Sequence, residues 1–309
     1  MRIFFSLAAL KKKVKNPVVA IGVFDGLHCG HRKLIDKAKK RAKAIKGQVI
    51  IMTFFPHPVH VLRPEIYAPL IVSLSHRLRL MEQLGVELCL IVRFTKKFAQ
   101  LQADAFIDRY LVKGIGAKEV VVGDDFRFGK DRKGGLENFR KAKQQNKFDY
   151  HIVSTSHKRK GKVGSSQIRS LIADGQLAKT KKLLGRPVSV LGQVVHGDSR
   201  GETLGYPTAN ISPNNEVIPP SGVYIVNVFY KNKCYRGLAN VGRRPSFKRI
   251  NKVNIEIHIF KFRKNLYGKE ILVQFLRKIR DEKTFQSKDE LVRQIQKDEK
   301  KAINWFEKK

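Results

Sequence analysis

Apolar residues in the first half of the chain come in short runs at 17–24, 48–55, 87–93, 118–123 and 148–154. Segments with helical spacing lie between them, at about 30–46, 75–84, 103–113 and 135–146. Short apolar runs bounded by turn residues read as strands buried on both faces. Their alternation with helices predicts an α/β domain, a parallel Rossmann-like sheet with helices on its faces. The opening Met1–Lys13 reads as a first strand or loop. A helix over about 165–184 ends near Gly185, and from Arg186-Pro187 the pattern changes. Apolar runs at 187–195, 222–230, 234–241, 253–260 and 270–276 now follow one another with turns and no helices. That predicts an all-β second domain, an antiparallel barrel or sandwich. A last helix over 287–306 starts at Ser287 as N-cap, with Asp289 and Glu290 in its first turn. Val292, Ile295, Ala302, Ile303 and Phe306 give it one apolar side to lay on the barrel. The domains are therefore 1–184 and 185–309.

Composition changes this picture in two places. The three cysteines, Cys29, Cys89 and Cys234, are odd in number and widely spaced. They form neither a disulfide framework nor a paired metal motif, which fits a reducing cytoplasm. No apolar run is long enough to span a bilayer, so no membrane partner is expected. The charge is unusual, 63 Lys+Arg against 26 Asp+Glu for a net +37. An excess of that size favours anionic partners. The lysines are spread along the whole chain without a basic tail or a nucleic-acid motif. Any nucleic-acid affinity is therefore weak and nonspecific, a by-product beside small anionic substrates.

Chemistry concentrates just after the strands of the first half. Gly22-Val23-Phe24-Asp25-Gly26-Leu27-His28-Cys29-Gly30-His31 runs from a strand through a glycine turn into a helix. Backbone N–H groups and the helix dipole there point at an anion. His28 and His31 share one side of the first turn, an arrangement that suits a triphosphate. Thr53-Phe54-Phe55-Pro56-His57-Pro58 holds His57 at a strand's carboxyl edge between two prolines. Gly123-Asp124-Asp125-Phe126-Arg127-Phe128-Gly129 offers a carboxylate, a guanidinium and aromatic faces for a nucleoside, or else a solvated loop with phenylalanine anchors. Ser165, Ser166 and Arg169 open a helix, where they cap it or bond phosphate oxygens.

In the second half, Gly197 to Asn210 is a glycine-rich loop running into a proline turn. It reads either as a polar turn or as a cover for polyphosphate. Thr208 and Asn210, two apart in extended chain, present two neutral oxygens suited to Mg²⁺. Alternation in 253–260 puts Asn254, Glu256 and His258 on one face, which is either solvated or the reaction face.

These segments resemble the bacterial bifunctional riboflavin kinase/FAD synthetase family across essentially the whole chain. The motifs GxFDGxHxGH at 22–31, TFxPHP at 53–58, GxDFxFG at 123–129 and Ser165-Ser166-Gln167-Ile168-Arg169 stand for its adenylyltransferase half. LGxPTAN at 204–210, Asn240-Val241-Gly242-Arg243-Arg244-Pro245-Ser246-Phe247, Glu256 and Leu266-Tyr267-Gly268 stand for its kinase half. The resemblance implies a Rossmann-like nucleotidyltransferase domain, then a six-stranded antiparallel barrel with a terminal helix. It implies ATP and riboflavin as substrates, FMN as intermediate, FAD as product and Mg²⁺ as cofactor. His28 and His31 would bind the ATP phosphates as catalytic residues, assisted by Ser165, Ser166 and Arg169. Asp125 would hold the nucleotide, and Phe24, Asp25 and His57 would lie on the FMN side. Gly205, Thr208 and Asn210 would contact Mg-ATP, with Thr208 and Asn210 as metal ligands and Glu256 as the base. Arg280 and Glu282 would contact the flavin or form an exposed ion pair.

The chain departs from the family pattern in three places. Gln167 replaces the usual threonine, Glu202 stands at a usually basic position, and 260–265 lacks the usual acidic residues. Two alternatives follow: one activity retained with the kinase weakened, or a basic nucleic-acid binder on a nucleotide-binding scaffold.

Overall fold

The computed structural model describes the chain except residues 12–13, 67, 155, 158–160, 163, 197–204, 215, 245–251 and 309. Glu202 and most of the glycine-rich loop therefore lie outside the described residues. The chain folds as two compact units, Met1–Pro69 with Leu74–Ser165, and Leu70–Ser73 with Ser166–Lys309.

The first unit is built on six parallel strands: β1 (Arg2–Phe4), β2 (Pro17–Ile21), β3 (Gln48–Phe55), β4 (Leu88–Arg93), β5 (Glu119–Gly123) and β6 (Asp149–Val153). They lie in the order β1-β4-β3-β2-β5-β6. All five residues of β2 and of β5 are buried, as strands covered on both faces must be. The helices are α1 (Leu7–Lys11), α2 (Cys29–Ala44), α3 (Pro58–Leu62), α4 (Leu74–Gln83), α5 (Lys96–Ala99), α6 (Ala103–Phe106) and α7 (Leu136–Gln144). A short ribbon, β7 (Ser156–His157) with β8 (Gly161–Lys162), follows the sheet. The opening segment thus holds a strand and a helix. The helix expected at 103–113 begins as α6 and widens into a π-helical stretch, Ile107–Ile115. One sheet face packs Val19, Ile21, Ile50, Met52, Val120 and Val122 into a core with Leu10, Phe106, Leu111 and Phe139. Against the other lies α2, which packs on β2, β3 and β5.

A cluster around the buried carboxylate of Glu119 fastens α2 to β5 and β6. Glu119 takes Arg41 Nε and Nη2 as a two-point pair, both at 2.7 Å, and its Oε2 also lies 2.7 Å from His151 Nε2. The Arg41 hydrogen bonds hold the Glu119 carboxyl below its ordinary value against the upward push of burial, and His151 adds to them.

The second unit is a closed antiparallel barrel of β9 (Val188–Val195), β10 (Ala209–Pro213), β11 (Gly222–Tyr230), β12 (Lys233–Arg244), β13 (Lys252–Ile259) and β14 (Glu270–Arg280). It closes in the order β10-β13-β12-β11-β14-β9. The single helix expected over 165–184 is two, α8 (Ser165–Ala173) and α9 (Leu177–Leu184), because Gly175 at φ 71 turns the chain between them. Leu70–Ser73 joins this unit through Glu216. Its buried carboxylate accepts from Ser73 N at 2.7 Å and Leu191 N at 3.0 Å, while Val217 N donates to Leu70 O at 2.7 Å.

The terminal helix, α10 (Lys288–Glu307), is capped by Ser287 Oγ, which accepts from Glu290 N at 3.2 Å. Ala302, Trp305 and Phe306 pack on Val223, Ile225 and Leu238 of the barrel's outer surface. Ile303, expected on that apolar side, is instead exposed, and Asp298 is buried in the packed face. A carboxylate is tolerated there because Arg280 Nε, from β14, donates to Asp298 Oδ2 at 2.7 Å and Gln294 Nε2 to Oδ1 at 2.9 Å.

Two outcomes follow. Glu119 has a depressed folded value, so its stabilisation is complete above the unfolded carboxylate value near 4.5 and is lost as pH falls through the folded one. Glu119→Gln should therefore flatten the acid limb of stability, read as urea midpoint against pH by circular dichroism. Asp298→Ala leaves Arg280 without its buried partner and should cost about 3 kcal/mol. Trp305, the one tryptophan of the chain and part of the same helix face, reports that loss by its fluorescence.

Candidate active sites

In the first unit the chain leaves β2 to build β3 and β4 on one side, then returns to build β5 on the other. The carboxyl ends of β2 and β5 therefore form the topological switch point, where open α/β sheets bind ligands. The segments after β2, β3 and β5 are the three that the sequence singled out.

After β2 the backbone makes a tight turn that three residues hold at positive φ: Phe24 at 56, Gly26 at 80 and Leu27 at 40. Glycine meets its value freely, whereas each of the other two costs on the order of 1–3 kcal/mol. His28, extended at φ −68 and ψ 174, then caps α2, and its carbonyl accepts from Arg32 N at 3.0 Å. The His28 and His31 rings stack with centroids 3.7 Å apart, and Phe24, fully buried, lies 5.2 Å from His31. The turn thus brings both imidazoles together at the first turn of a 16-residue helix. Asp25 is 2% exposed beneath them, and its carbonyl accepts from Ser165 Oγ at 3.3 Å.

After β3, His57 caps α3 by accepting Val59 N on Nδ1 at 3.1 Å. The neutral ring therefore carries its hydrogen on Nε2. After β5, Asp125 is exposed, whereas Phe126 stacks on Phe128 with centroids 5.5 Å apart and Phe128 packs on Phe139 at 5.0 Å. The two phenylalanines anchor that loop to the core. Ser166 is exposed and Arg169 half-buried on α8, in the part of the chain grouped with the second unit.

Sequence reasoning missed Arg77 on α4. Its guanidinium is 4% exposed, and it donates through Nη1 to Val23 O and through Nη2 to Phe54 O at 3.3 Å. Thr53 Oγ1 donates to the same Val23 carbonyl at 3.0 Å. Burial pulls the guanidinium below its ordinary value while Asp25 pulls it back up. A signal was present: His76, Arg77, Leu80 and Met81 form the buried stripe of α4, so an arginine stands on an apolar face.

In the second unit, Ile255, Ile257 and Ile259 of β13 point into the barrel, and Asn254, Glu256 and His258 lie half-buried on its outer face. Register places Asn210 of β10 and Asn240 of β12 on either side of Glu256. Directly opposed residues share a face, so the three make one polar row across three strands. Asn254 Nδ2 donates to Glu256 Oε1 at 2.7 Å. His258 Nδ1 sits 3.0 Å from Pro207 O, and its ring meets Tyr206 edge-on at 5.3 Å, which braces the turn before Thr208. Gly205 enters that turn at φ 78. Asn210 is 7% exposed, and its Oδ1 is buried without a hydrogen-bond partner among the described residues. With the Thr208 hydroxyl two residues away it forms a hard-oxygen pair of the kind Mg²⁺ takes, so these residues fit the cation.

Arg280 is engaged by Asp298, and its Nη1 donates to Asp281 O at 3.0 Å. Glu282 lies over the backbone of β12, where its Oε1 would meet a β-carbon at Gly242.

The two units define a class: a nucleotide-binding α/β module followed by a barrel module with a polar row centred on one carboxylate on its outer face. The FAD synthetase family model matches residues 10–167 and the riboflavin kinase model residues 184–306. Similar proteins include the bifunctional riboflavin kinase/FMN adenylyltransferase of Bacillus subtilis, 37% identical over 96% of this chain and 95% of that one. The protein of the same name from Escherichia coli K12 is 38% identical over 94% and 92%. A crystal structure from Streptococcus pneumoniae described as a macrolide-efflux protein covers 98% of this chain and 99% of its own. It does so at a TM-score of 0.85 and 35% identity. Among the described residues no helix is long and apolar enough to cross a membrane. The chain belongs to the bifunctional riboflavin kinase/FMN adenylyltransferase family.

If the Asn254 hydrogen bond orients Glu256, Asn254→Ala should lower riboflavin phosphorylation about tenfold, while Asn254→Asp, which puts a second carboxylate beside it, lowers it further. Initial-rate FMN formation checks both.

Proposed function

We propose that the second unit phosphorylates riboflavin with ATP to FMN and that the first adenylylates FMN with a second ATP to FAD and pyrophosphate. The observation that carries the reading is one phosphate-handling constellation in each unit, the stacked histidines at the α2 N-terminus and the Asn210–Glu256–Asn240 row.

For the kinase step, Glu256 is the base. It accepts the proton of the riboflavin 5′-hydroxyl as that oxygen forms a bond to the γ-phosphorus and ADP leaves. Thr208 and Asn210 hold the nucleotide's Mg²⁺, which when bound shields phosphate charge. For the adenylyl step the phosphate of FMN is itself the nucleophile, so no side chain need be. An FMN phosphate oxygen bonds to the α-phosphorus of ATP and the bond to pyrophosphate breaks. What the protein supplies is alignment and donors for the developing charge. His28, His31, Ser165, Ser166 and Arg169 take that role on the ATP phosphates. Asp125 takes the nucleoside, and Asp25 and His57, with Phe24 behind them, take the acceptor side. Gly205 lets the loop before Thr208 turn over the nucleotide, and Glu282 and Arg280 border the flavin.

The three free thiols of the described residues suit a cytoplasmic enzyme. Weak, salt-sensitive nucleic-acid affinity is a by-product of the net +37 charge.

Riboflavin, ATP and Mg²⁺ incubated with the protein should yield FMN and then FAD by chromatography, and formation of neither would overturn the reading. Glu256→Gln should abolish FMN formation, by at least about 100-fold, and spare FAD formation from supplied FMN. The double change His28→Ala, His31→Ala should do the reverse.

A further inference from the structure

The adenylyl-transfer reading leaves one buried cation without a role. Arg77 reaches from α4 to the carboxyl ends of two adjacent strands, β2 and β3, and bonds a carbonyl on each, Val23 O and Phe54 O. Val23 opens the turn that carries Phe24, Asp25, His28 and His31. Phe54 lies three residues before His57. One planar guanidinium therefore touches the start of both the loop that carries the two phosphate-side histidines and the loop that carries His57.

We infer that Arg77 is a positioning residue for adenylyl transfer, fixing the distance between the ATP-phosphate loop and the acceptor loop by holding Val23 O and Phe54 O in one rigid fork. The inference rests on the adenylyltransferase reading of this unit.

Three observations support it. First, the turn it holds cannot persist unaided, since Phe24 and Leu27 both stand at positive φ. Second, the Val23 carbonyl receives two donors, Arg77 and Thr53 Oγ1, so its direction is over-determined. Third, the site is poorly suited to a mere filler. A buried guanidinium loses its hydration, and here its Nε–H is buried without a partner among the described residues. An apolar side chain would fill the space without that loss but would bridge no carbonyls. Lysine would keep the charge, yet its single ammonium on a flexible stem lacks the planar fork. In-line attack on phosphorus tolerates little misplacement, and an error of about 1 Å costs roughly 100-fold.

The test uses the full chain and compares wild type with Arg77→Lys and Thr53→Val. Rates are taken per binding-competent site, counted by titration with FAD, so that a loss of folded protein is not read as a loss of rate. Arg77→Lys should lower kcat for FAD formation at least about tenfold while KM for ATP and for FMN stays within about threefold. FMN formation from riboflavin on the same chain should be unchanged. Thr53→Val, which removes the second donor to Val23 O at nearly constant volume, should lower kcat about threefold with the same KM pattern. If Arg77→Lys does not fold, the Thr53→Val result decides alone. An unchanged kcat per site in the variant that folds, or a loss confined to KM, would overturn the inference. A wild-type chain that forms no FAD from FMN would instead overturn the reading on which it stands.

Discussion

The first unit depends on how the chain leaves β2. A parallel sheet delivers its strand-end carbonyls and the following loops to one edge, and the segment after β2 must reverse there within a few residues. It does so by taking Phe24, Gly26 and Leu27 through positive φ and then entering α2. That conformation is unfavourable in an isolated chain and is sustained by what surrounds it. Phe24 is fully buried, and the Val23 carbonyl is held by Thr53 and Arg77. The stacking of His28 on His31 and the aim of the α2 dipole are consequences of that exit. The α/β module is thus less a pocket lined by residues than a turn held open by its neighbours.

The second unit solves a different problem. Its barrel carries apolar side chains inside, with Tyr224, Ala239 and Ile257 meeting across successive strands. The polar row Asn210–Glu256–Asn240 lies on the outer face. Strand pairing fixes its spacing, because opposed residues of an antiparallel ladder cannot slip without turning every side chain over. Rigid backbone pairing sets the spacing of Glu256 from Asn210 and Asn240, while His258 braces the turn at Tyr206 and Pro207.

Much of this was legible in the residues, and the reasons for what was not are physical. The run 222–230 and the strand at 48–55 carry their own boundaries, because continuous apolar residues between turn residues allow little else. The motif segments were legible because strand–turn–helix chemistry is local. The short strand at Ala209–Pro213 was less visible, since its polar residues serve the site rather than the core. Partners from distant elements were not legible at all. The burial of Arg77 and of Asp298 depends on carbonyls or a guanidinium contributed from elsewhere, and the apolar neighbours of Arg77 on α4 mark its face but not its partners. The same holds for Ile303: helical periodicity marks a side, but the buried Arg280–Asp298 pair rotates the helix's contact face away from it.

Leu70–Ser73 carries a last consequence. These four residues precede α4 in the chain yet complete the barrel unit, where the Ser73 amide and the Leu70 carbonyl satisfy Glu216 and Val217. A gene cut between the two family matches would separate the barrel unit from the short segment that bonds Glu216 and Val217. The surviving fragment would expose a carboxylate built to be shielded. The sequence boundary between the two family matches is therefore not the boundary of the folded units, which sets a limit on where such a fusion can be cut.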